Sequence, residues 1–110
     1  MTVEFAFKNG WVELIRKMAT CMYRIALSCT GVPVSAGAAG ARDIAEEFTH
    51  RPWQKNVTCT WDGSQLVLQA ENDFDTNGAA LVDEFSDAIS ACIKDAFDGD
   101  IRVLSVTPLP

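Results

Sequence analysis

Hydrophobic and polar positions alternate most regularly in the second half of the chain. In "NVTCTW", Val57, Cys59 and Trp61 fall on one side and Thr58 and Thr60 on the other. After "DGS", the run "QLVLQAE" sets Leu66, Leu68 and Ala70 together. A period of two marks a half-buried strand, so two such runs around Asp62-Gly63-Ser64 predict a β-hairpin. The period then changes. Across residues 76–97, Leu81, Val82, Phe85, Ile89, Cys92, Ile93 and Phe97 recur at helical spacing and leave Asp83, Glu84, Asp87 and Lys94 outward. Gly99 stands where a left-handed cap would end that helix. "IRVLSV" predicts a last strand that is apolar on both faces, Ile101 and Val103 against Leu104 and Val106.

The first half is less regular. "ARDIAEEF" predicts a short helix with Ala41, Ile44, Ala45 and Phe48 inward, stopped before Pro52. Residues 11–29 fit two periods. Trp11, Leu14, Ile15, Met18, Met22 and Ile25 have helical spacing, whereas Cys21, Tyr23, Ile25, Leu27 and Cys29 alternate with Met22, Arg24, Ala26 and Ser28. The strand reading of 21–29 gives strand, helix, hairpin, long helix, strand. That order predicts a single α+β domain over residues 1–110 of the ferredoxin-like (split βαβ) kind: an antiparallel sheet of about four strands, two helices on one face, and residues 1–20 as an N-terminal extension or extra element. The rival reading, a strand at 2–8 and a helix at 11–28, keeps the class and moves the first unit; "VEFAFKNGWVELI" adds a possible Asn-Gly hairpin. A last strand apolar on both faces needs cover on both. A homodimer through the open sheet face or an edge strand is therefore expected.

Composition narrows the function classes. A chain of 110 residues with 48% hydrophobic and 22% charged residues is ordinary for one packed domain. No apolar run approaches the roughly 20 residues that cross a bilayer. "MTVEFAFKNG" has neither the basic start nor the apolar stretch of a secretion signal. Cys21, Cys29, Cys59 and Cys92 are widely spaced, with no CxxC and no histidine at zinc spacing. The expectation is a cytoplasmic protein with reduced thiols. Charge is divided unevenly. Residues 1–55 hold seven Lys/Arg and five Asp/Glu, a net of +2; residues 56–110 hold two against ten, a net of −8, and together these give −6. Nucleic acid and anionic membranes both call for a basic surface, so neither is an expected partner. An acidic surface favours a basic protein or a cation.

The most chemically legible stretch is "DFDTNGAALVDE". Asp73, Asp75 and Asn77 stand at its first, third and fifth positions, Gly78 at its sixth and Glu84 at its twelfth, the spacing of a helix–loop–helix calcium loop. Its context differs: the preceding "LVLQAEN" alternates like a strand, and Ala80 holds the eighth position, where a β-branched aliphatic residue usually sits. Capping of the next helix by Asp75 or Thr76 accounts for the same residues without a metal. The Gly-rich "TGVPVSAGAAGARD" reads as a surface loop; an anion site with Arg42 would need a phosphate-loop lysine that is missing. His50, the only histidine, with Trp53 and Trp61 forms a possible ligand pocket, with Tyr23 as a further aromatic. A nucleophile built from Cys59 or Cys92 needs His50 beside it and a third orienting group. A carboxylate pair such as Glu71 and Asp73 is too common a spacing to carry an activity.

The resulting expectation is a non-catalytic, acidic, homodimeric module of inhibitor or immunity type, without a cofactor. It would engage a basic protein partner through Asp73, Asp75, Asp83, Glu84 and Asp87. The alternatives are a small-ligand site at His50, Trp53 and Trp61, a divalent-ion site at Asp73, Asp75, Asn77 and Glu84, and a small enzyme using His50 and carboxylates.

Overall fold

The computed structural model describes residues 22–94 and 97–110. The first strand, β1, spans Met22–Thr30, and the first helix, α1, spans Val34–Glu47 and continues into a 3-10 turn, Phe48–His50. The hairpin strands are β2, Lys55–Trp61, and β3, Leu66–Asn72; α2 spans Ala79–Cys92 and β4 spans Asp100–Leu109. The chain is thus α+β, with two helices and a four-stranded sheet of order β2-β3-β1-β4 in which every pairing is antiparallel.

Residues 22–30 are a strand, which overturns the helix reading of 11–28 over that stretch. The register explains why. Ile25, Leu27 and Cys29 stand opposite Ala70, Leu68 and Leu66 of β3, and all six are buried. Ala41, Ile44 and Phe48 from the first helical segment and Leu81, Phe85, Ala88 and Ile89 from α2 complete that core. On the other side of the sheet, Arg24 faces Glu71, Ala26 faces Gln69, and Thr58 and Thr60 face Gln69 and Val67. That side is mainly polar, as the alternation requires. The readings of residues 1–20 as an extension, a 2–8 strand or an Asn-Gly hairpin lie outside the described residues.

Three other expectations change. The Gly-rich stretch is not a loop: α1 begins at Val34, directly after Pro33, and carries Gly37 and Gly40 on its buried side. Gly37 lies against the Trp61 ring with no room for a Cβ, so the glycine sets the helix-to-sheet approach rather than a flexible segment. The second helix is shorter than its apolar spacing, because Ile93 turns to extended geometry (φ −108°, ψ 109°) and Phe97 lies beyond the end. Finally, β4 is not apolar on both faces. Its register with β1 slips between Ala26 and Leu27, so Leu27 faces Val103 while Ile25 faces Val106. This bulge leaves Leu104 as the extra residue and turns Ile101, Val103 and Val106 toward the same side.

A candidate binding surface around Trp53 and Glu84

Residues 51–54 form the link from the 3-10 turn to β2, and side chains from distant elements hold them in place. Gln54 is buried, and its Oε1 accepts a hydrogen bond from Asn72 Nδ2 at 3.0 Å. Its Nε2 donates to Glu84 at 3.4 Å. Trp53 Nε1 donates to Glu84 Oε2 at 3.0 Å, and Arg51 Nε lies 3.4 Å from Glu84 Oε1. Arg51 also reaches Glu47 at 3.5 Å and sets its guanidinium 5.1 Å from the centre of the Phe48 ring. Glu84 therefore leaves the solvent-facing row of α2 and joins three donors. Buried polar atoms need such partners, and here the donors and acceptors match across three segments.

The acidic loop is organised by its own backbone. Asn72 Oδ1 accepts the N–H groups of Phe74 and Asp75, at 3.1 and 2.8 Å. Asp75 Oδ1 accepts the Gly78 N–H at 3.0 Å and its Oδ2 the Leu81 N–H at 2.9 Å. Asn77 Oδ1 accepts the Ala79 N–H at 2.9 Å. Gly78 has φ +86°, a left-handed conformation that suits glycine, and a Cβ there would press on Val103. Asp75, Asn77 and Gly78 of the calcium-loop spacing thus have partners in the turn and the first turn of α2, whereas Glu84 is held by Trp53, Gln54 and Arg51. Among the described residues, no group of three or more His, Cys, Asp or Glu side chains is placed to hold a metal ion.

The expected protein-binding residues divide. Asp73, Asp83 and Asp87 are exposed, and Glu84 is half-buried in the Trp53 network. Asp75 does not belong on an exposed acidic face: it is 4% exposed, with both oxygens taken by backbone amides. His50, Trp53 and Trp61 have separate surroundings. His50 is exposed in a cleft of about 370 Å³ with Asp43, Glu46, Glu47, Cys92 and Lys94, and neither Trp53 nor Trp61 lines it. Trp61 packs on Gly37 and the core; Trp53 is 48% exposed and tied to Glu84. Cys92 shares the His50 cleft, but burial raises its thiol pKa and the Glu47 and Asp43 carboxylates add to the rise. Burial pushes Cys59 up to about 12. Neither thiol is tuned toward a nucleophilic thiolate.

Two features of this surface had no advance signal in the sequence. Phe74 is 48% exposed beside the capped loop, and Gln54 and Asn72 are buried polar partners joined across 18 residues of chain. Among the described residues, no helix is long and apolar enough to cross a membrane. Neither a family model, nor a curated protein, nor a solved structure matches this chain.

Proposed function

We propose that this chain is a non-catalytic binding module that docks a basic protein segment on Trp53 and the exposed acids Asp73, Asp83 and Asp87. The observation that carries the reading is Trp53. Its ring is 48% exposed, yet its indole N–H is held by a carboxylate that also engages Gln54 and Arg51. An aromatic ring fixed before binding loses little freedom on docking, and tryptophan is prominent among residues that dominate interfaces. Phe74 supplies a second exposed ring, on a loop that the Gln54–Asn72 hydrogen bond ties to the Trp53 segment. Net charge of −8 over residues 56–110 favours a positively charged partner.

The element order β-α-β-β-α-β and the antiparallel order β2-β3-β1-β4 support a split βαβ topology as the scaffold. Cys29, Cys59 and Cys92 are free, which supports a reducing, cytoplasmic setting. Self-association would use β4, one of the two edge strands, on which Val103 and Leu104 are 43% and 54% exposed. A scattering mass of two chains, returned to one by Leu104→Lys, is expected; one chain's mass at every concentration removes the dimer from the reading.

The docking test uses the intact chain as bait and compares its captured proteins with those of Trp53→Ala and Asp83→Asn/Asp87→Asn. A partner that Trp53→Ala weakens at least tenfold, and whose association rate falls with added salt and with the double variant, is the expected result. Partners held equally by all three baits, at rates indifferent to salt, would sink the proposal.

A further inference from the structure

A second cleft lies away from Trp53, between α2 and the start of β4. Cys29 and Ile101 line it from paired positions on β1 and β4, Ile93 and Lys94 from the end of α2 and just beyond, and Phe97 from the following segment. Its volume is about 380 Å³, within the range of small-ligand sites. Ile93 is 7% exposed and Cys29 1%, so the cleft reaches the edge of the hydrophobic core at its base. Ser86 and Ser90 add two hydroxyls beside Ile89 on the α2 flank.

Charge gives this cleft a direction. Residues 56–110 contain two cations among ten acids. Arg102 is committed to Asp100, at 2.6 Å. Lys94, the other, is exposed, lines the cleft and makes no ion pair among the described residues. Lys94 also borders the His50 cleft with Asp43, Glu46 and Glu47, and in the cleft beside Ile101 its ammonium group and the Ser86 and Ser90 hydroxyls stand next to the apolar side chains of Ile89, Ile93, Phe97 and Ile101. A mixed lining of this kind fits a ligand with an anionic head and a short hydrocarbon body. We propose that this cleft binds a small amphipathic carboxylate, its head at Lys94 and Ser90 and its body on Ile93, Phe97 and Ile101. The proposal concerns a site separate from the acidic surface and does not depend on that surface binding a protein.

Octanoate, octylammonium and 1-octanol are the probes, titrated into the full chain and followed by amide chemical shifts. Octanoate is expected to shift residues around Ser90, Lys94 and Ile101 and to bind at least tenfold more tightly than octylammonium. Lys94→Met is expected to weaken octanoate about tenfold and leave 1-octanol unchanged, while Lys94→Arg retains octanoate. Ser90→Trp, which fills the cleft, is expected to abolish both octanoate and 1-octanol binding. Absence of octanoate binding at millimolar concentration, equal affinity for the two charged probes, or shifts centred elsewhere would each overturn the proposal.

Discussion

Oδ2 of Asp75 accepts the Leu81 N–H at 2.9 Å, a bond that reaches from the loop before α2 to the third residue of the helix. The first helical amides have no partner inside the helix, and a buried carboxylate that accepts one of them also meets the favourable end of the helix dipole. The other oxygen holds Gly78 in its left-handed turn. Asp75→Ala is expected to cost about 2 kcal/mol, the upper end for loss of a cap, because two buried amides lose their acceptor together. Millimolar calcium should leave the melting midpoint of the wild-type chain unchanged. A calcium-dependent rise of several degrees that Glu84→Gln abolishes would show that the loop turns its oxygens to an ion instead.

Gly37 offers a prediction whose sign opposes helix propensity. Replacing a glycine inside a helix by alanine ordinarily stabilises by about 0.5–1 kcal/mol. At Gly37 the added methyl would fall within the Trp61 ring, which is large and packed against the core. Overpacking of this kind costs about 1–3 kcal/mol, so Gly37→Ala is expected to be net destabilising in urea unfolding. Gly40 is the control. Its Cβ would meet Cδ1 and Cγ1 of Ile93 at 3.0 and 3.1 Å, a far milder contact that a shift of that side chain by a few tenths of an ångström relieves. Gly40→Ala should be close to neutral, and equal effects at the two positions would show that Trp61 does not set the helix distance.

These positions also show which parts of the fold were legible from sequence. The hairpin and β1 were readable because the sheet has one apolar side, and a period of two transmits that fact directly to the chain. The start of α1 was not, since glycine reads as a loop signal unless its neighbour across the fold is known, and Trp61 is 24 residues further on. The β4 bulge is a property of pairing with β1, and nothing local in "IRVLSV" distinguishes it from a regular strand. Helical periodicity placed Glu84 outward; it could not reveal that Trp53, some 30 residues away, would turn the carboxylate sideways. The Asp73–Glu84 spacing fits a calcium loop and a helix cap alike, and the choice depends on which amides lie within reach of Asp75 and Asn77, which spacing does not carry.

Glu71 links the polar side of the sheet to acid stability. Asn56 Nδ2 donates to its Oε1 at 2.8 Å and Arg24 Nε to its Oε2 at 2.9 Å, and these bonds hold the carboxyl below the usual glutamate range. A carboxyl depressed in the folded state binds its proton more readily when unfolded. Its contribution is therefore present above the ordinary glutamate pKa, about 4.3, and is lost as pH falls through the lower folded value. Asn56→Ala/Arg24→Met should be less stable than the wild type at neutral pH, with the gap closing in strong acid. Parallel stability curves from pH 7 to pH 2 would remove this role from Glu71.

The cysteines provide a measurement that requires no partner. Burial pushes Cys59 up to about 12 and raises Cys29 and Cys92 as well, with the Asp100 carboxylate adding to the rise at Cys29 and those of Glu47 and Asp43 to the rise at Cys92. Alkylation proceeds through the thiolate, so a raised thiol is protected twice, by its scarce anion and by limited access. At pH 8 the thiolate fraction of Cys59 is on the order of a thousandfold below that of a free cysteine. Brief iodoacetamide treatment of the native chain, read by peptide mass mapping, should leave Cys59 unmodified and modify it fully in 8 M urea. Cys92, less buried than Cys29, should be the first of these three to react as pH is raised. Native labelling of Cys59 at the unfolded rate would mean that β2 opens from the core on the timescale of the reaction, and with it the Trp61 contact that fixes α1.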